Sequence, residues 1–118
     1  PGVPDKKLVF WLTQSYFRQL IDNGVKIYRY TPGFLHAKVF VCDDVYATVG
    51  TINLDYRSLY HHFECAALLY DVPCINEIEA DFRETLEKCR RITKDDIKKE
   101  KAYYKILGAL MKVVAPLM

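Results

Sequence analysis

The stretch Leu35–Glu64, LHAKVFVCDDVYATVGTINLDYRSLYHHFE, decides how the rest of the chain is read. It sets a histidine, a lysine, an asparagine and a glutamate in or beside apolar, strand-like sequence. His36 and Lys38 stand two apart at the head of a β-branched and aromatic run, HAKVFVC. Alternate residues of a strand share a face, so both side chains are expected on the same side. Thr51 and Asn53 repeat that spacing just after Gly50, and Glu64 opens a second apolar run, FECAALLY. Polar and ionisable groups in strands this apolar are costly to bury unless they are paired or used. Their concentration at the edges of one sheet points to a site.

Working outward, Leu8, Trp11, Leu12, Ser15, Tyr16, Gln19 and Leu20 follow helical spacing. Pro4-Asp5 reads as the start of that helix, with Asp5 as its cap, and Asn23-Gly24 as its close. Thr13 is a point where the helix would restart rather than continue. Val25–Tyr30 alternates and predicts a strand; Thr31-Pro32-Gly33 predicts a turn. Phe34–Cys42 is apolar on both faces and reads as a central strand. Asp43-Asp44 marks a tight turn into a hairpin partner, Val45–Val49. Asn53–His62 is polar and loop-like, with Asp55 and Arg57 as local partners, and Phe63–Tyr70 is the next strand. Pro73 opens a helix expected to reach about Arg91, with Ile75, Ile78, Phe82, Leu86 and Cys89 as its apolar stripe. Thr93 reads as the cap of a short basic helix, TKDDIKKEKAYYK, and Pro116 as the stop of an apolar tail, Ile106–Met118. The order of helices and strands predicts an α/β fold, a mixed sheet flanked by helices.

The 118 residues support one small domain, and a 51% hydrophobic content can supply a core. A net charge of +2 is too slight to argue for nucleic acid, and no nucleic-acid partner is expected. Cys42, Cys65, Cys74 and Cys89 lack CxxC spacing, and two of them sit inside apolar runs, as free thiols do. A reducing compartment is therefore expected, with no zinc site and no cofactor. His61 and His62 are adjacent, and on extended chain they point opposite ways, which makes a poor chelate. No apolar run reaches the roughly 18–20 residues of a helical membrane span. The chain begins at Pro1 rather than Met and is expected to be a piece of a longer protein.

H36-x-K38-x4-D43-x6-G50-T51-x-N53 resembles, element for element, the HxKxxxxDxxxxxxG(S/T)xN signature of the phospholipase D superfamily. Six defined positions over eighteen residues make a specific string. The flanks VFWLTQSYFRQLIDNGVKIYRYTPGFLHAK and TVGTINLDYRS, and the FE before ALLYD, look like the C-terminal half of a bacterial-type cardiolipin synthase. The likeness runs from about Val3 into the tail. It implies one lobe of a bilobal fold: a half-domain over residues 1–92 and a basic, apolar helical tail over 93–118. N-terminal membrane helices and a first-motif lobe are expected upstream. The implied activity is a phosphatidyltransferase making cardiolipin and glycerol from two phosphatidylglycerols, at the cytoplasmic face of a bacterial membrane. The implied partners are that phospholipid, the other lobe or a second copy of this chain, and a membrane surface.

The resemblance also implies roles. His36 is the nucleophile on phosphorus or the acid that protonates the leaving oxygen, the other role falling to a second motif's histidine. Lys38 holds the non-bridging phosphate oxygens, Asn53 donates its amide to them, and Thr51 adds a hydroxyl. Glu64 is expected to hydrogen-bond one ring nitrogen of His36 and fix its tautomer. Asp43 and Gly50 are structural members of the motif, with Asp43 fixing a turn or an ion pair. Asp55, Arg57 and Ser58 either shape the pocket or belong to the loop alone. The tail is either a basic-apolar membrane-surface segment or a helix packed on the other lobe. Alternative readings are a single-motif phosphodiesterase or nuclease that builds its site by homodimerisation, and a half-domain that is inert in isolation.

Overall fold

In the computed structural model, which describes residues 2, 6–99 and 102–117, the α/β class stands. The chain runs α1 (Lys7–Asp22), β1 (Tyr28–Tyr30), β2 (Val39–Cys42), β3 (Tyr46–Gly50), a π-helical turn (Arg57–His61) and β4 (Ala66–Tyr70). It continues through α2 (Cys74–Glu87), β5 (Cys89–Arg91), α3 (Lys94–Lys98), α4 (Ala102–Val114) and a closing 3₁₀ turn (Ala115–Leu117). The cap expected at Asp5 lies outside the described residues. Two compact units form, one from residues 35–88 and one from residues 1–34 with 89–118.

In the unit of residues 35–88, β2, β3 and β4 form an antiparallel ladder in that order. Asp43 and Asp44, at φ 53° and 56°, with Val45 N donating to Cys42 O at 3.2 Å, make a left-handed turn, and with Val45 they join the paired Cys42 and Tyr46. Register pairs Val41 with Ala47 and Ala47 with Leu69. These side chains lie on one face, and Ala47 is buried there, as is Ile75 of α2. The opposite face carries Phe40, Thr48 and Leu68, and Leu68 is 70% exposed. β2 therefore lies at the edge of this ladder with one face covered, and the central strand is β3. Apolar residues on both faces of a strand record what is to be covered, not by what.

In the unit of residues 1–34 and 89–118, β1 and β5 pair antiparallel, Tyr28 with Arg91 and Tyr30 with Cys89. Ile92 N extends the pairing to Ile27 O at 2.9 Å, and Ile92 is buried. This pairing corrects the expected end of α2. The helix stops at Glu87, and Cys89 belongs to β5, because the backbone groups of Cys89–Arg91 bond across to a strand some sixty residues earlier. α1 runs unbroken past Thr13, whose hydroxyl turns back to Val9 O at 2.9 Å. Asn23 Nδ2 donates to Gln19 O at 2.8 Å and Gly24 takes φ 87°, closing α1 as its sequence predicts. The basic helix divides: Thr93 caps only Lys94–Lys98, in a box with Asp96, and α4 starts anew at Ala102. α4 packs on α1 at Gly108, where a Cβ would lie 2.7 Å from Ser15 Cβ. No helix among the described residues is long and apolar enough to cross a membrane.

Candidate active site

All of the motif's side chains fall within residues 35–88. His36 and Lys38 share a side, as their spacing predicts, but both precede the ladder rather than lying in it. Gly50 N donates to Lys38 O at 3.2 Å, which fixes the backbone of Lys38 one residue ahead of β2. From there the lysine folds back over the histidine. Its Nζ lies 2.7 Å from His36 Nδ1, 2.8 Å from Nε2 and 2.9 Å from the His36 carbonyl, to which it donates. An ammonium has only donors, so the ring nitrogen it engages acts as acceptor.

Gly50 is required by close approach. A Cβ there would stand 2.3 Å from Cys65 O and 2.5 Å from Ala66 Cα, so β4 runs against bare backbone. That contact brings Thr51 onto the residues that lead into β4. Thr51 N donates to Cys65 O at 3.0 Å, and Cys65 N donates to Thr51 Oγ1 at 3.1 Å. The Thr51 hydroxyl donates in turn to Glu64 Oε2.

Glu64 is half-buried just ahead of β4, and its carboxyl is held below its ordinary value of 4.5. The Thr51 hydroxyl contributes most, then the Ser58 hydroxyl, then the charges of His62 and Lys38. The hydrogen bond Glu64 accepts comes from the Thr51 hydroxyl, while the Lys38 ammonium lies against the His36 ring. Asn53 Nδ2 donates to Ser58 Oγ at 3.2 Å.

Asn53–His62, expected as plain loop, contains an ordered turn. Asp55 opens it: its Oδ1 accepts from Ser58 N at 2.7 Å and its carbonyl from Leu59 N at 3.0 Å. His62 N then reaches back five residues to Arg57 O at 2.9 Å, the π-type closure. Ser58 ends inside this turn at 8% exposure, the one buried polar residue among those described. The spacing Asp55-x-x-Ser58 is a capping signal that sequence reading can recognise. The hydroxyl's partner, Asn53 five residues back, carries no such signal. Arg57 Nε donates to His62 Nε2 at 2.8 Å. Among the described residues no three or more His, Cys, Asp and Glu side chains are grouped as metal ligands are.

Asp43 lies apart from these residues, beyond the far end of β2 in the hairpin turn. Its neighbour Asp44 meets another carboxylate, Glu79 of α2, which also holds Arg83. The Glu79 contact raises the Asp44 carboxyl above its ordinary 3.8, and Arg83 lowers that of Glu79.

The chain matches, over residues 2–86, the family described as "Cardiolipin synthase, PLD-like domain". All 118 residues align at 58% identity with an uncharacterized protein of Streptococcus mutans, covering 26% of its length. They align at 40% with cardiolipin synthase 2 of Bacillus cereus, covering 23%, and at 37% with a cardiolipin synthase of Halalkalibacterium halodurans, covering 24%. No solved structure matches. The chain belongs to the phospholipase D-like domain family of the cardiolipin synthases. It spans about a quarter of the length of the relatives it matches.

Proposed function

We propose that this chain supplies half of the active site of a cardiolipin synthase, a phosphatidyltransferase acting on phosphatidylglycerol at the cytoplasmic face of a bacterial membrane. The observation that carries the reading is Lys38, whose ammonium lies 2.7 Å from His36 Nδ1 inside the family's motif. In this reading a motif histidine attacks phosphorus and the bond to the terminal glycerol oxygen breaks. That oxygen takes its proton from the second motif's histidine and leaves as glycerol. A hydroxyl of a second phosphatidylglycerol gives its proton to the same base and attacks the phosphohistidine. Cardiolipin forms and the imidazole is released. His36 fills one of the two histidine roles.

Lys38 binds the non-bridging oxygens and offsets the charge that grows on them, and the second N–H of the Asn53 amide donates to the same oxygens. Thr51, whose hydroxyl donates to Glu64, contributes by fixing that carboxylate. Two features support a site completed by further protein at a lipid surface. The sheet face that continues from Lys38 carries exposed Phe40 and Leu68, and α4 presents an exposed strip of Ile106, Leu110 and Val113. Alone, the chain offers one motif histidine where the chemistry uses two, and is expected to be inert unless two copies meet about a two-fold axis.

The test uses the full-length protein in vesicles containing phosphatidylglycerol, with cardiolipin and glycerol followed together beside His36→Ala. Matched release of both, abolished in a folded His36→Ala protein, is the expected result. Phosphatidic acid in place of cardiolipin would redirect the reading to lipid hydrolysis. Neither product would overturn it in favour of a nuclease or an inert module.

A further inference from the structure

The reaction scheme leaves the acceptor lipid's own phosphate without a partner. Each phosphatidylglycerol brings one phosphodiester, so the step that forms cardiolipin holds two, joined through a three-carbon bridge. Lys38 and Asn53 answer the phosphate that reacts. The other needs a second cation close by, because an anion taken from water without a partner is costly. Residues 35–88 contain four lysines and arginines. Lys38 lies against His36, Arg83 donates to Glu79, and Lys88 donates to Glu84 at 2.7 Å. Arg57 is the fourth. Its Nε donates to His62 Nε2 at 2.8 Å, so that ring nitrogen is an acceptor and the imidazole carries no charge to offset the guanidinium. One N–H is used in this way. Four remain on the two outer nitrogens, the planar fork that matches a pair of phosphate oxygens.

The fold places Arg57 for that task. Its loop leaves the sheet at Thr51 and returns at Cys65, and hydrogen bonds of 3.0 and 3.1 Å between those two residues pin both ends beside Gly50. Ser58, next in sequence, is buried and accepts from Asn53 Nδ2 at 3.2 Å. The turn beneath is fixed by Ser58 N on Asp55 Oδ1 at 2.7 Å and by His62 N on Arg57 O at 2.9 Å. The arginine is thus fastened at both ends, its backbone beside the residue that Asn53 touches and its head on His62. Leu54, Tyr60 and Phe63 of the same loop are exposed, an apolar surround that suits a lipid better than a free sugar phosphate. We propose that Arg57 determines the acceptor: its guanidinium takes the phosphodiester of the second phosphatidylglycerol and presents that lipid's terminal hydroxyl to the phosphohistidine. The assignment rests on the functional reading above and deepens it by giving the site a second phosphate subsite. The His62 contact holds the fork in one orientation, so less freedom is lost on binding.

The test compares acceptors in the full-length enzyme with phosphatidylglycerol vesicles as donor. A second phosphatidylglycerol gives cardiolipin, and labelled glycerol exchanges into phosphatidylglycerol. Glycerol 3-phosphate is a soluble acceptor whose phosphate stands three carbons from its primary hydroxyl. The wild type is expected to use glycerol 3-phosphate about tenfold or more faster than glycerol at equal concentration, the scale of a hydrogen-bonded charge. No such preference in a wild type that makes cardiolipin overturns the assignment alone, with no variant needed. Arg57→Gln is expected to erase the preference and to lower cardiolipin formation about 10- to 100-fold relative to glycerol exchange. Arg57→Lys, which keeps the charge and loses the fork, should restore part of it. A loss shared equally by cardiolipin formation and exchange would mark a merely structural arginine and overturn the assignment. Dependence on Arg57 for glycerol 3-phosphate but not for cardiolipin would overturn the lipid as its ligand. A wild type that neither makes cardiolipin nor exchanges glycerol overturns the functional reading and this assignment together.

Discussion

The two ends of the three-stranded sheet carry carboxylates held in opposite ways. At the Gly50–Ala66 end, Glu64 accepts from the Thr51 hydroxyl, which keeps it ionised to lower pH. At the Cys42–Tyr46–Tyr70 end, Asp44 meets Glu79, which keeps it protonated longer. The motif's histidine, lysine and asparagine belong to the first end and its aspartate, Asp43, to the second. One spaced string of sequence therefore names two structural jobs. Its polar groups around Gly50 assemble a site, and Asp43 turns the chain so that β3 can return to it.

The largest way to break this comparison is to mutate both ends and assay the full-length enzyme. Lys38→Ala is expected to cost about 100- to 1,000-fold in kcat, the scale of losing one donor to a charged transition state. Asp43→Asn, which keeps a residue tolerant of left-handed backbone, should leave kcat within about twofold. Equal losses would place Asp43 in the chemistry and end the distinction.

Gly50→Ala tests how the site end is built. The added Cβ meets Cys65 O and Ala66 Cα, backbone atoms that cannot swing aside. Overpacking of this kind destabilises by about 1–3 kcal/mol, read as a lower denaturant midpoint at unchanged slope. A neutral result would mean that β4 does not press on Gly50.

Acid should separate the two carboxylates by sign. Glu64 has a lowered folded value, so its stabilisation is complete above 4.5 and is lost as pH falls through that lowered value. Asp44 has a raised one, so its stabilisation is complete below 3.8 and is lost as pH rises through the raised value. Denaturation from pH 3 to 7 should show Glu64→Gln losing most relative to wild type at the neutral end. Asp44→Gly, which also relieves left-handed backbone, should gain most there. Parallel pH curves would remove the contrast. The smallest effect belongs to the Tyr46–Tyr70 pair, with ring centroids 4.9 Å apart across β3 and β4. A double-mutant cycle on these exposed rings should return about 0.5 kcal/mol of coupling.

Much of this was legible in the sequence because it rests on short-range rules. The i, i+2 spacing of His36 and Lys38 and the left-handed turn at Asp43-Asp44 both stem from local geometry. What escaped depends on distant pairing. Cys89–Arg91 continues the amphipathic pattern of α2 until β1 claims its backbone. Phe40 and Leu68 read as buried because apolar sequence is the same whether a face is already covered or has yet to be. The Ser58 hydroxyl escaped because no periodicity announces a buried side chain tied to Asn53.

The π-helical turn at Arg57–His61 makes the loop a ruler. Its closing hydrogen bond spans one residue more than an α-helix's, and removing one residue would rotate the downstream chain by about 100°. Glu64 would then leave the Thr51 hydroxyl that holds it. Leu59 and Tyr60 point largely into solvent, at 53% and 74% exposure. Their number matters more than their exposure suggests: the stretch from Asn53 to Glu64 does not tolerate a missing letter.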